Sequence, residues 1–313
     1  MNPLNFSVLY SDESSCKAKW KEYRDKQGVL CPHCGSDEHY WKKDKESYEC
    51  KVCGYRQSLR SNTVMHGSQL PFRYWFVAIH LLSSTKKSFS AKELQRQLGH
   101  STYNPIWAML HKLRQVMGMR DTCYPLSEVI ELEEGFFSTE IQDNDKDKPL
   151  KRGRGSQKKI KVLVMAESIP VEDGSVSKKS KPRKVGHIKM FVINDLKSKT
   201  ADGKVIASID KQSIIDSDNS ISYTNFKTLV KEHSPQVIPK KEVGKVLTWI
   251  HIAISNVKRM FLDIFHDIKP EYLQNCLNDF CYKFNRRYFG EQPFNRLMIA
   301  SVIYKNQFRY NIE

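Results

Sequence analysis

The chain has 313 residues, and lysine plus arginine outnumber aspartate plus glutamate by 51 to 35, a formal charge of +16. With 40% hydrophobic residues it can bury an ordinary core, which excludes wholesale disorder. No run approaches the ~18 apolar residues of a membrane helix, and the opening MNPLNFSVLYSDESS has neither a basic nor an apolar signal region. The expectation is a soluble, cytoplasmic protein whose positive charge calls for a polyanion, nucleic acid first.

Residues 1–27 read as a short leader, with Trp20 and Tyr23 on a charged helical pattern. Residues 28–60 carry Cys31-Pro-His-Cys34, then fifteen residues, then Cys50-Lys-Val-Cys53. Two such knuckles bring four thiolates into tetrahedral reach of one structural Zn2+, as in a zinc ribbon. His33 and His39 compete as ligands, but the four-cysteine set is simpler. Gly35 and Gly54 follow the knuckles, where a tight turn needs free φ. Cys16, Cys123, Cys276 and Cys281 have no ligand spacing and read as packing residues.

Residues 61–122 read as helical. Phe72, Trp75, Phe76 and Ile79 fall on one apolar face. Ser90-Ala-Lys-Glu93 has the form of a capping box and opens a helix through Leu94 and Leu98. Gly99-His100-Ser101 breaks it, and a second helix carries Ile106, Trp107, Leu110 and Leu113, with Lys112 and Arg114 expected outside, on DNA. Helix, glycine turn, helix is the shape of a helix-turn-helix.

Residues 123–290 change texture to α/β. Strands are expected at 128–137, 159–166, 187–193 and 212–216, with a helix at 201–207. Further helices are expected at 222–232, 250–265 and 270–286, before a tail at 291–313. The order suits an RNase H-like mixed sheet with flanking helices. Two basic stretches, Lys146 to Lys159 and Lys178 to Lys184, flank the second strand. From 146 to 189 there are fourteen basic and four acidic residues. Lys151, Arg152, Arg154, Lys158 and Lys159 are therefore expected to follow a phosphate backbone.

Acidic residues at strand ends are the exception in so basic a chain. Glu131 and Glu133 share one face of the first strand, while Ile130, Leu132, Glu134 and Phe136 point the other way. Ile214, Asp216 and Asp218 share a face of the fourth. Carboxylates meeting at adjacent strand ends suit Mg2+ or Mn2+. On the helix after Trp249, the residues His251, Ser255, Lys258 and Leu262 lie on one face. The imidazole could complete a metal site and the lysine could hold a phosphate.

Taken together, the four cysteines, IELEEGFF, KRGRGSQKK, SDNSISY, WIHIAISNVKR and FCYKFNRR resemble insertion-sequence transposases with an N-terminal zinc ribbon, a helix-turn-helix region and an RNase H-like catalytic domain of the DDE type. The resemblance covers roughly residues 28–290. It puts Glu133 at the first catalytic position, where the family has aspartate. It selects Asp218, five residues before Tyr223, over Asp216. The family's third position stands seven residues before a lysine, here His251 before Lys258. Asn256 competes, but it lies about 200° from Lys258 around a helix. The resemblance implies metal-dependent cleavage and strand transfer at terminal inverted repeats, with double-stranded DNA as partner, two catalytic Mg2+ or Mn2+ ions and a structural Zn2+. It further implies a homodimer or higher oligomer on DNA, at a bacterial nucleoid, without a membrane. The extra methylene of Glu133 moves its carboxylate by about 1.5 Å, which implies a slow site, quickened by Glu133→Asp and by manganese. It also leaves open a decayed DNA-binding regulator, or an RNase H-like nuclease without strand joining.

Overall fold

The computed structural model describes residues 1–141, 145–153, 156–171, 183–237, 246–265, 268–305 and 308. It divides into two compact units, residues 1–119 with 286–313, and residues 120–285. Among the described residues no helix is long and apolar enough to cross a membrane.

The first unit opens with α1 (Pro3–Leu9) and α2 (Glu13–Gln27). Asp12 and Ser15 close a reciprocal capping box at the start of α2. Trp20 is fully buried and donates its indole N–H to the Leu59 carbonyl at 2.9 Å, so the expected leader is part of this core. Three short strands, β1 (His39–Lys42), β2 (Ser47–Cys50) and β3 (Arg56–Ser58), form an antiparallel sheet. Next come α3 (Phe72–Ser84), α4 (Ala91–Leu98) and α5 (Tyr103–Thr122). The apolar face of α3 is core, with Phe72, Trp75, Phe76 and Ile79 all buried. The segment expected as a tail instead holds a helix, Pro293–Ile303, packed on α2 and α3.

Two local expectations are corrected here. Ser90 caps α4 by accepting from the Glu93 N–H at 3.1 Å, but the Glu93 carboxylate turns to Arg96 and Gln97, so only half the box forms. Arg114 does not face outward. It is 1% exposed and donates to Ser88 Oγ at 3.2 Å and to the Phe89 carbonyl at 3.0 Å. It follows Ile106 by eight residues and Leu110 by four, which is the buried stripe. Lys112 is half-buried and donates to the His66 carbonyl at 2.9 Å.

In the second unit β4 (Val129–Ser138), β5 (Lys159–Pro170) and β6 (Arg183–Ile193) are antiparallel neighbours. The chain continues through α6 (Ser198–Ser208), β7 (Ile214–Asp218), α7 (Phe226–Leu229), β8 (Glu232–Gln236), α8 (Thr248–Ile264) and α9 (Leu273–Asn285). The sheet order is β6-β5-β4-β7-β8, with β7 parallel to β4 and β8 parallel to β7. The helix expected over 222–232 is not there; a single 3-10 turn, the short α7 and then β8 occupy that stretch. β8 reads EHSPQ, without an apolar residue, and an edge strand tolerates its Pro235.

Both faces of the sheet are covered. Phe137, Val162, Val164, Ile188 and Met190 pack against α8 and α9. Ile130, Leu132, Leu163, Met165 and Ile215 pack with residues of α6 and α7. Side chains of α9 close the edge of β6: Gln274 bonds the Val192 N–H and the Met190 carbonyl, and Asn285 bonds both backbone groups of Ile188.

Candidate active site

Alternation along β4 turns Glu131, Glu133, Gly135 and Phe137 toward α8. Glu131 is 7% exposed, and its Oε2 accepts from the backbone N–H groups of Trp249 at 2.8 Å and Ile250 at 3.2 Å. Glu133 Oε2 lies 3.5 Å from His251 Nδ1. At Gly135 a Cβ would stand 3.3 Å from Ile254 Cδ1 and 3.0 Å from Phe137 Cε2, so the bare backbone lets α8 approach closely.

The parallel register pairs Glu131 with Asp216 and Leu132 with Ser217. One residue further, Asp218 ends β7 beside Glu133. Glu133, Asp218, Lys258 and Lys159 line one cavity of about 660 Å3, together with Phe137 and Leu262. The Lys258 ammonium stands 5.8 Å from the centre of the Phe137 ring. Neither His251 nor the exposed Asn256 is among the residues lining the cavity; what sets His251 apart is its contact with Glu133. Asp216 sits two residues back along β7 from Asp218 and does not line the cavity. Burial raises the carboxyls of both Asp216 and Glu131 above their ordinary values.

Two residues at this site had no role in the sequence reading. Glu134, on the other face of β4, also lines the cavity, and Ser220 Oγ donates to its Oε1 at 3.5 Å. Tyr223 is 1% exposed beside it. Burial, with the charges of Glu134, Asp218 and Glu133, raises its phenol far above the ordinary value, so it stays a neutral O–H among acids. The fixed spacing of Asp218 and Tyr223 carried that signal, but the spacing served only to choose between aspartates.

Carboxylate oxygens with one imidazole nitrogen suit Mg2+ or Mn2+. Two donors bound side by side to one such ion lie about 3 Å apart for bonds near ~2.1 Å, so Glu133 and His251 fit as a pair. Among the described residues, only the four cysteines gather three or more donor atoms within 4.8 Å of one another. The set of Glu133, Asp218 and His251 is therefore wider than one ion's shell. Of the basic residues, Lys151, Arg152, Lys158 and Lys159 are exposed. Arg154 and residues 178–182 lie outside the described residues.

The cysteine cluster belongs to the first unit. Cys31 Sγ is 3.6 Å from Cys53 Sγ, and Cys34 Sγ is 3.5 Å from Cys50 Sγ. Four sulfurs around one zinc at ~2.3 Å stand about 3.8 Å apart, close to these values. The two knuckles repeat one geometry. Cys31 N donates to the Ser36 carbonyl and Gly35 N back to Cys31, as Cys50 N does to Tyr55 and Gly54 N to Cys50. Gly35 and Gly54 take φ of 77° and 70°, a turn that favours glycine. The Cys53 backbone N–H pulls the Cys50 thiol down to about 6, while the Cys53 thiol, crowded by the other three sulfurs, is held up at about 12.

Among curated proteins none matches this chain. Residues 125–285, which hold β4 through α9 and every residue lining the cavity, match the ISXO2-like transposase domain. More than half of the chain is covered by that match, and the protein belongs to the family of ISXO2-like transposases.

Proposed function

We propose that the protein is the DNA transposase of an insertion sequence, cutting and joining DNA at the element's terminal inverted repeats. The observation that carries this reading is the convergence of Glu133, Asp218 and Lys258 on one cavity, with His251 against Glu133, where β7 ends beside the middle of its parallel neighbour β4. The strand order, three antiparallel strands followed by two parallel ones, supports an RNase H-like domain.

Glu133, Asp218 and His251 would together hold two divalent metal ions, which when bound supply Lewis acidity for in-line attack on phosphodiesters by water and then by the freed 3′-hydroxyl. Lys258, two turns along α8 from His251, is placed to hold a phosphate at the cavity wall, and Lys159 faces it there. Tyr223 sets a buried, neutral phenol beside Glu134. Lys151, Arg152 and Lys158 add phosphate contacts that carry no sequence information. In the first unit the four cysteines would bind one structural zinc. The turn at Gly99 and the exposed start of α5, residues 102–105, serve as the helix-turn-helix reader. Arg114 has no part in that reading, because its guanidinium is spent inside the unit. A homodimer or higher oligomer would hold two ends together.

The test uses the full chain and the DNA that flanks its gene. A labelled duplex carrying a flanking inverted repeat is incubated with Mg2+ or Mn2+, and Mn2+ binding is followed separately by calorimetry. The reading expects cleavage at the repeat's end, joined products with a second duplex, and loss of cleavage and Mn2+ binding in Asp218→Ala. Tight, specific binding without cleavage would favour the regulator. Cleavage without joined products would favour the nuclease.

A further inference from the structure

We infer that Glu131 is a positioning residue of this site: its buried carboxylate clamps the first turn of α8 to β4 and so sets where His251 and Lys258 stand. The inference rests on reading the cavity as the active site.

A helix start leaves backbone N–H groups without intrahelical partners. The residue before α8 is Leu247, which has a left-handed φ of 52° and no side-chain oxygen to offer them. The usual local remedy is a serine, threonine, aspartate or asparagine at that position. Here the acceptor comes from the sheet, where Glu131 Oε2 takes the N–H groups of Trp249 and Ile250. His251 is the next residue.

Three successive residues on one face of β4 thus meet α8. Glu131 grips its first turn, Glu133 meets His251 at 3.5 Å, and Gly135 admits Ile254. The first two contacts are about 6.7 Å apart along the strand, so the clamp holds α8 one strand repeat from the point where the two site residues meet. A local cap would stabilise the helix without fixing it to the sheet. Glu131 does both, and it does so although Asp216, its register partner, carries a second carboxylate next to it. Because α8 is one continuous helix to Ile264, a shift of its first turn carries Lys258 along. A misplacement of about 1 Å can cost ~100-fold in rate.

Two variants of the full chain test this. Glu131→Gln keeps one acceptor oxygen, and Glu131→Ala removes both. The readouts are single-turnover cleavage of a labelled end, the KM for that DNA, and backbone hydrogen exchange at residues 249–251. Glu131→Ala should lower kcat by about 30- to 100-fold with KM within threefold, and should speed exchange at Trp249 and Ile250. Glu131→Gln should restore most of the protection, with kcat between the other two. Wild-type exchange in folded Glu131→Ala, or a loss confined to KM, would overturn the inference. If Glu131→Ala does not fold, Glu131→Gln decides: kcat falling together with a partial loss of protection at Trp249 and Ile250 would support it, and any other outcome, a reduced kcat with wild-type protection included, would overturn it. Should the wild-type chain itself cleave nothing, the active-site reading fails, while exchange still judges the clamp.

Discussion

Shortening Glu133 to aspartate withdraws its carboxylate by about 1.5 Å. Glu133 Oε2 now stands 3.5 Å from His251 Nδ1, so the gap would open to about 5 Å. Two donors on one ion sit about 3 Å apart. Glutamate reaches that geometry with a small adjustment, and aspartate does not. Nor can α8 follow the retreating carboxylate, because Glu131 grips its first turn and Ile254 already packs against Gly135. The family pattern alone argues the reverse, since aspartate would restore it; the packing of α8 decides against that. Glu133→Asp should therefore cleave a labelled element end about 100-fold more slowly, measured in a single turnover at saturating Mn2+. Calorimetry on the DNA-free chain should show weaker Mn2+ binding, with DNA affinity unchanged. Cleavage by Glu133→Asp as fast as wild type, or faster, would refute this account of the site.

Purified protein should carry about one equivalent of zinc, and Cys50→Ser should lose it together with hydrogen-exchange protection across residues 31–58; less than half an equivalent in the wild type would count against a ribbon. A third expectation concerns Lys189 on β6, which is 5% exposed with no hydrogen-bond partner for its amine among the described residues. Burial lowers its pKa, partly opposed by Asp121 and Glu167. With the folded value below the unfolded one, the unfolded chain holds more protons between the two, and stability rises with pH across that window. The penalty is full below the folded value and gone above the unfolded lysine value of about 10.4. Lys189→Met should accordingly unfold a few degrees higher than wild type at pH 7, with a smaller gain at pH 9.5. A lower midpoint at pH 7 would contradict this.

What the sequence made legible follows from which forces act locally. β4 announced itself by apolar alternation, β5 and β6 by short apolar runs, and α3 by its helical stripe. The four cysteines were legible from ligand spacing alone. β8 was not, because EHSPQ at a sheet edge buries little and draws its backbone bonds from β7, a partner distant in the chain. Arg114 was misplaced because its charge was allowed to outweigh its position. Its spacing from Ile106 and Leu110 already put it on the buried stripe, where Ser88 and the Phe89 carbonyl satisfy it. At the site, face and spacing narrowed the candidates to Glu131 or Glu133, Asp216 or Asp218, and His251 with Lys258; the family resemblance made the choice among them. The work of Glu131 could not, since it depends on where α8 lands. Glu134 reaches the cavity from the opposite face, which a two-sided view of a flat strand does not anticipate; strands twist, and past the end of β7 both faces of β4 can border one space.

The amides of Gln274 and Asn285 give β6 the partner that an edge strand lacks. They lie eleven residues apart, three turns of α9 and so one face of it, about 16 Å along the axis. That span matches the stretch of β6 from Ile188 to Val192, whose outward N–H and carbonyl groups they satisfy. An unsatisfied edge is a template on which a neighbouring chain can add a strand. Here the template is occupied from within, by two side chains on a helix that cannot itself be extended as a strand. Copies brought together on one DNA molecule would therefore find the stretch of β6 from Ile188 to Val192 already engaged, which leaves β8 as the edge with backbone groups to offer.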